Sequence, residues 1–238
     1  MNILGYTIST LYPLWPVTEQ TIINTINPHS FCVAQKDATF SNALKTAHYL
    51  IPDGAGIVLA AKVLHGKTIP RIAGADMHQH LLDEAQKHGL RVFYLGASDK
   101  TLALIKQKIA TRYPAITVAS FSPPYKDVFT NEDNRQMQEQ VNNFAPHILF
   151  VGMTAPKQEK WVLANKDHLN ASIICSIGAV FGFFAGTTKR PGIFWQKAGL
   201  EWLPRLLREP RRLWRRTIIS TPQFLWYLLK AKLSNQQA

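Results

Sequence analysis

Short apolar runs alternate with longer stretches whose apolar positions recur every three or four residues, from about His48 to Phe181. That alternation predicts an α/β fold, with a mostly parallel sheet flanked by helices in a Rossmann-like arrangement. "HYLIPDG" reads as a short strand and "AGIVLAAKVLHG" as a helix closed by Gly66. "DMHQHLLDEAQKHG" reads as a helix with Asp76 as N-cap and Gly89 just past its end. The buried strand "LRVFYLGAS" leads into the helix "DKTLALIKQKIATRY", followed by the strand "ITVASFS". The polar-faced helix "NEDNRQMQEQVNNFA" precedes the strand "HILFVGM", the helix opened by "APKQEKWVLANK" and a last strand "ASIICSIGAVF". Two βαβ units result, Arg91 to Phe121 and His147 to Ile177.

After Gly199 the pattern changes to leucine, tryptophan and arginine. Pro210 cannot continue a helix begun near Leu200 but suits the first position of a new one, and Pro222 marks a third start. The expected organisation is an α/β catalytic domain over 1–198 and a helical appendage over 199–238, with helices at about 199–208, 210–219 and 222–233.

Charge sharpens this picture. The chain of 238 residues carries a formal charge of +12. The stretch "EWLPRLLREPRRLWRR" supplies six arginines, about half of the excess. Such a balance favours anionic partners: nucleic acid, lipid headgroups or phosphorylated substrates. Cys32 and Cys175 sit in apolar segments without metal-type spacing and read as buried thiols of a reducing compartment. The N-terminal run lacks a basic region and a small-residue cleavage site, so no signal peptide is expected. No run of about 18 apolar residues occurs, so no membrane-spanning helix is expected either. A cytoplasmic protein fits these features.

Strand-to-helix turns of a parallel sheet put backbone N–H groups and helix N-termini at one edge, where phosphates bind. Three such turns carry glycine here, at Gly54, Gly96 and Gly152. None completes a dinucleotide fingerprint and no phosphate-binding GxxxxGK[ST] loop exists, which disfavours nicotinamide and P-loop enzymes. Asp53, between Pro52 and Gly54, reads either as a helix N-cap or as a general base held rigidly and approached closely. Thr25 and Asn27 read as polar pocket residues or as an N-cap pair before a helix starting near Pro28. Arg71 alone reads as an ion pair at the edge of the core. Capping accounts for Glu159, whereas Gln158 has no evident structural task. His78 and His80 stand two apart on a helix and so face apart, which argues against a metal pair. The chain has no Asp-x-Asp pair to hold a divalent ion on a diphosphate, so a departing diphosphate would need arginines.

The blocks "IPDGAGIVLAAK", "RIAGADM", "VGMTAPKQEKW" and "IGAVFGFFAGTTKRPG.FWQKAGLEWLPRLLREPRRLWRR" resemble, in order and spacing, the WecG/TagA/CpsF glycosyltransferases of cell-surface polysaccharide synthesis, over about Thr25 to Arg216. The resemblance implies an inverting transfer, without metal or cofactor, from a UDP-sugar donor to a polyprenyl-diphosphate-linked sugar acceptor. It further implies a peripheral position on the inner face of the cytoplasmic membrane. By this resemblance Asp53 is the base, Thr25, Asn27, Arg71 and Gln158 are pocket residues, and Arg205, Arg212 and Arg215 are functional tail arginines. Glu201 lies in the GLEW-to-RRLWRR block of the same resemblance and is taken with the pocket. One position departs: relatives often carry Asp where this chain has Gly182.

Nucleic-acid binding would need base-reading or stacking elements, and the chain offers none. On a regular helix Arg205, Arg208, Arg212 and Arg215 form one basic stripe. The following "TIISTPQFLWYLLKAKL" has the composition of an interfacial segment for an anionic membrane, or a surface open to self-association away from one. The remaining alternatives are a non-catalytic nucleotide-sugar or nucleic-acid binder using its basic tail, and a nicotinamide-dependent sugar oxidoreductase.

Overall fold

A computed structural model describes residues 1–192, 194–195 and 200–234, and only the backbone of Arg212. A small antiparallel hairpin, β1 (Asn2–Ile3) and β2 (Tyr6–Thr7), precedes the main sheet. That sheet has six parallel strands: β3 (Thr21–Ile26), β4 (Tyr49–Pro52), β5 (Arg91–Gly96), β6 (Thr117–Phe121), β7 (Ile148–Gly152) and β8 (Ile173–Ser176). Their spatial order is β4-β3-β8-β7-β5-β6. Every adjacent pair is parallel, so the C-terminal ends of all six strands open on one edge. The expected α/β architecture is therefore present, with both βαβ units forming neighbouring strand pairs.

The period-two alternation of a strand divides the core between two faces. On one, Ile23, Val92, Tyr94, Phe150 and Cys175 pack under α4 (Gly74–His88), α5 (Asp99–Arg112) and α8 (Val180–Ala185). On the other, Ile22, Phe93, Leu149 and Ile174 pack under α6 (Asn131–Phe144) and α7 (Lys157–Asn165). A third cluster joins the hairpin, α1 (Pro28–Ala34), α2 (Ala38–Lys45) and α3 (Ala55–His65) to Ile26 and Leu50 at the sheet margin. Cys32 and Cys175 are buried free thiols in separate clusters.

Two expectations need correction, and one strand was not anticipated. Asp76 is not an N-cap. The helix starts earlier, at Gly74, and Asp76 sits in its first turn, where its carboxylate accepts from the Ala73 N–H at 3.0 Å. The last strand stops at Ser176, because Gly178 turns the chain at φ +32° and Val180 opens α8. The segment Thr21–Ile26 is a strand, which its central Asn24 conceals. That side chain is buried and its nitrogen donates to the Ala43 carbonyl of α2 at 3.0 Å, while its oxygen has no partner among the described residues.

The C-terminal segment forms α9 (Trp202–Arg208), α10 (Pro210–Trp214), a π-helical turn (Arg215–Ile219) and α11 (Ser220–Ser234). Glu209, at φ −130° and ψ 58°, breaks the helix before Pro210, as the proline requires. Pro222 starts nothing new. It lies within the first turn of α11, which the π turn enters without a break. Phe224 and Leu228 of α11 are buried against Phe31 and the aliphatic residues of α1 and α3, with Phe31–Phe224 ring centroids 5.4 Å apart. Gly56 makes this corner possible, since a side chain there would collide with Pro28 at 2.3 Å. The far end of the chain is thus seated beside the strands that open it. Among the described residues no helix is long and apolar enough to cross a membrane.

Candidate active site

The C-terminal edge of the sheet collects the residues singled out by sequence. Thr25 and Asn27 close β3, Asp53 and Gly54 follow β4, Gly96 ends β5, Gly152 ends β7, and Gln158 lies in the first turn of α7. The Asp53 N–H donates to the Ile26 carbonyl at 2.9 Å, which extends the β3–β4 ladder one residue and fixes the direction in which the side chain leaves. Asp53 does not cap α3. Gly54 holds the N-cap position, at φ +111° and ψ 152°, a conformation that favours glycine, and no side chain caps that helix. The half-buried Asp53 carboxylate has no hydrogen-bond partner among the described residues.

Charges from three other segments reach it. Burial pushes the Asp53 carboxyl above its ordinary range and the Glu201 carboxylate adds to this, while Arg216, Arg71 and Arg205 pull it back. Glu201, Arg205 and Arg216 all come from the C-terminal helices. Arg71 Nη1 lies 3.4 Å from Glu201 Oε2, and Arg190 Nε lies 3.6 Å from Glu201 Oε1. Arg190 Nη2 also stands 3.4 Å from Asp76 Oδ1, and its buried Nε has no hydrogen-bond acceptor among the described residues. These separations exceed the roughly 2.7–2.9 Å of a tight charge-assisted bond. The network Arg71–Glu201–Arg190–Asp76 is therefore assembled but loosely paired.

The tail arginines do not form one stripe. The break at Glu209 and the π turn after Trp214 each rotate the helical phase, so Arg216 rather than Arg215 reaches the Asp53 side. Arg216 also lies near His29, which burial and that guanidinium lower to about 4. His29 Nδ1 and Ser220 Oγ are 2.8 Å apart, and they tie α1 to α11. Arg215 is exposed, 5.4 Å from the Trp214 ring centroid. Arg208 donates to the Lys189 carbonyl at 3.2 Å, and Arg205 stands 5.2 Å from the Phe183 ring centroid. The side chain of Arg212 lies outside the described residues.

Other candidates divide similarly. Asn27 caps α1, its side-chain oxygen accepting from the His29 and Ser30 N–H groups at 3.0 Å each, so the cap reading holds for it. Thr25 is no cap; it pairs with Ile51 within the sheet and is half-buried. Gly96 and Gly152 are glycines for close packing: a side chain on Gly96 would meet the Gly152 carbonyl at 2.4 Å, and one on Gly152 would meet the Phe181 ring at 2.5 Å. Gln158 has a structural task after all. It is 3% exposed, accepts from the Met153 N–H at 3.2 Å and donates to Glu159 Oε1 at 2.8 Å. His78 and His80 do face apart, bonding the Tyr94 hydroxyl at 2.7 Å and the Pro13 carbonyl at 2.6 Å. Burial lowers His78 to about 3.

Helix termini separate scaffold from site. Asn27, Asp37, Ser98 and Thr130 cap α1, α2, α5 and α6, whereas α3 and α7, which start beside Asp53 and Gln158, have no side-chain cap. The first-turn N–H groups of α3 and the Gln158 N–H of α7 remain available to an anion at the sheet edge, whereas the Lys157 N–H donates to the Thr154 carbonyl at 2.9 Å. Sequence reading missed Arg190 and Arg216. The signal for Arg190 was its place inside the "TTKRPG" block, and for Arg216 there was none, because a regular helix points Arg215 there instead.

A half-buried carboxylate, surrounding guanidinium groups and uncapped helix starts on a parallel sheet suit transfer to a hydroxyl with departure of an anionic group, and the chain is a glycosyltransferase. It belongs to the Glycosyl transferase WecG/TagA/CpsF family, whose pattern matches residues 7–238. It is similar to the N-acetylglucosaminyldiphosphoundecaprenol N-acetyl-beta-D-mannosaminyltransferase of Bacillus subtilis (strain 168), 30% identical over 88% of this chain and 79% of that protein. The protein of the same name from Staphylococcus aureus (strain MW2) is 27% identical over 93% of this chain and 84% of its own length.

Proposed function

We propose that this glycosyltransferase moves a sugar, of the N-acetylmannosamine type or a related hexose, from UDP to a polyprenyl-diphosphate-linked sugar, inverting the anomeric centre in a single displacement. The names of the similar proteins support the acceptor class and the sugar type. The acceptor hydroxyl attacks the anomeric carbon while Asp53 takes its proton. The bond to UDP breaks, and UDP leaves with the bonding electrons. Arg71, Arg205 and Arg216, with the open N-termini of α3 and α7, hold the diphosphate charge as it develops. Thr25, Asn27 and Gln158 line the pocket, and Arg212 is assigned to the diphosphate by resemblance alone. The observation that carries this reading is the convergence of three tail charges and Arg71 on an otherwise unpartnered carboxylate at the sheet edge.

The acceptor's lipid tail calls for a membrane foot, and the C-terminal helices of the 199–238 appendage supply one. Ile218 and Trp226 are 61% and 64% exposed, with Ile219, Leu225, Leu229 and Leu233 also open, opposite the buried Phe224 and Leu228. Arg208, Arg215 and Lys230 add exposed positive charge for anionic headgroups. The enzyme then works peripherally at the inner leaflet.

Offering a panel of UDP-sugars with a short-chain prenyl-diphosphate N-acetylglucosamine acceptor, with and without EDTA, tests this reading by mass spectrometry and anomeric coupling constants. The expected result is one transferred hexosamine, inverted, with no loss on chelation. Retention of configuration, or no transfer from any UDP-sugar, would refute it.

A further inference from the structure

Gln158 and Glu159 open α7 at the mouth of the sheet, and their side chains are joined. The Gln158 amide is clamped from both ends, since its oxygen accepts from the Met153 N–H and its nitrogen donates to Glu159 Oε1 at 2.8 Å. It rests on the end of β8, where a side chain added to Gly178 would come within 3.1 Å of Gln158 Oε1. A flipped amide would set N–H against the Met153 N–H and oxygen against the Glu159 carboxyl. Glu159 itself is 2% exposed, and its second oxygen, Oε2, is buried with no hydrogen-bond partner among the described residues. An unpartnered buried carboxyl oxygen is costly, and the contact of the carboxyl with its own backbone N–H in the first turn of α7 leaves that oxygen unpartnered. A carboxyl kept at such a cost beside a pocket amide points to a task performed through that amide.

We infer that Glu159 is a positioning residue that fixes the orientation of the Gln158 amide, so that its remaining N–H is offered to a hydrogen-bond acceptor on the donor sugar-nucleotide. This inference rests on the proposed placement of Gln158 in the donor pocket. The anchor needs an acceptor oxygen at the Oε1 position, which either a carboxyl or an amide provides. Glutamine at 159 therefore keeps the clamp, and alanine removes it.

The test is a double-mutant cycle on the full chain with whichever UDP-sugar is transferred, reading donor KM and kcat separately and thermal melting alongside. Gln158→Ala and Glu159→Ala should each raise donor KM about tenfold, the scale of one lost hydrogen bond. The double variant should be no worse than Gln158→Ala, because Glu159 then has nothing to position. Glu159→Gln should recover most of the loss. If Glu159→Ala does not fold, Glu159→Met, which keeps volume and removes both acceptor oxygens, takes its place. Multiplying effects in the double variant, or a Glu159→Gln enzyme as poor as Glu159→Ala, would overturn the positioning role while leaving Gln158 in the pocket. An unchanged donor KM in Gln158→Ala would remove Gln158 from the pocket and this inference with it.

Discussion

The sheet and the C-terminal helices meet at Asp53 under opposite rules. The scaffold helices α1, α2, α5 and α6 satisfy their first N–H groups with their own side chains, and the strands bury clean apolar faces. At the site α3 and α7 start uncapped, and α9 and α10 from the appendage start uncapped as well. Arginines and carboxylates there stand at 3.4–3.6 Å instead of closing on one another. Capped helix starts and uncapped, loosely paired ones thus lie side by side along the same sheet edge.

The hardest blow to that contrast would come from Asp53→Asn. It should leave melting temperature and UDP affinity unchanged and lower the initial transfer rate about 1,000-fold, within the range of a lost general base. Near-normal turnover would strip the sheet edge of its catalytic part. Next in size, Arg216→Ala should cost about 100-fold in kcat, the scale of one lost charge donor at a leaving group, while Arg215→Ala costs less than about threefold on detergent-solubilised acceptor. Equal losses at the two neighbours would restore the regular helical stripe and dissolve the distinction drawn by the π turn.

Glu159 sharpens the comparison through stability. Burial lifts its carboxyl from 4.5 to about 7. In the unfolded chain the group ionises from about pH 4.5 upward while the folded chain holds its proton, so folding loses stability as pH rises through that window, by about 3 kcal/mol above pH 7. Glu159→Gln, which cannot ionise, should melt higher than the parent at pH 8 and alike at pH 4, a difference read by calorimetry. The smallest effect concerns Glu201. Its charge raises the Asp53 carboxyl, so Glu201→Gln should move the acid limb of the rate–pH profile to lower pH. Arg71→Ala should move it higher, because a lowering charge is lost. A limb that ignores both substitutions would separate the tail from Asp53.

Much of the sheet body was legible because its signals are local. Continuous apolar runs marked β5 and β7, and Gly89 at φ +61° closes α4 where the sequence placed it. β3 was not legible, since Asn24 and Thr25 interrupt its apolar run and the carbonyl that takes the asparagine's N–H comes from α2, folded back on the sheet. Asp76 was misplaced by one turn because an acidic residue serves equally at the N-cap or three positions inside. At the site, Asp53, Arg71, Glu201 and Arg205 were legible as residue types in their blocks, whereas Arg190 and Arg216 were not.

The order of strands and helices, the glycines at tight turns and the presence of an arginine-rich terminus were determined by the sequence alone, because each depends on residues within a turn or two of one another. Tertiary structure alone decided which charges meet. Glu201 lies far along the chain from Asp53 and Arg71, and only the packing of α11 on α1 and α3 brings the C-terminal helices over the sheet edge. Coulomb interactions depend on distance through space, and helix phase past a break or a π turn is fixed by how the segments pack. That is why Arg216, with Arg71 and Arg205, and not its neighbour Arg215, contributes to the field at Asp53.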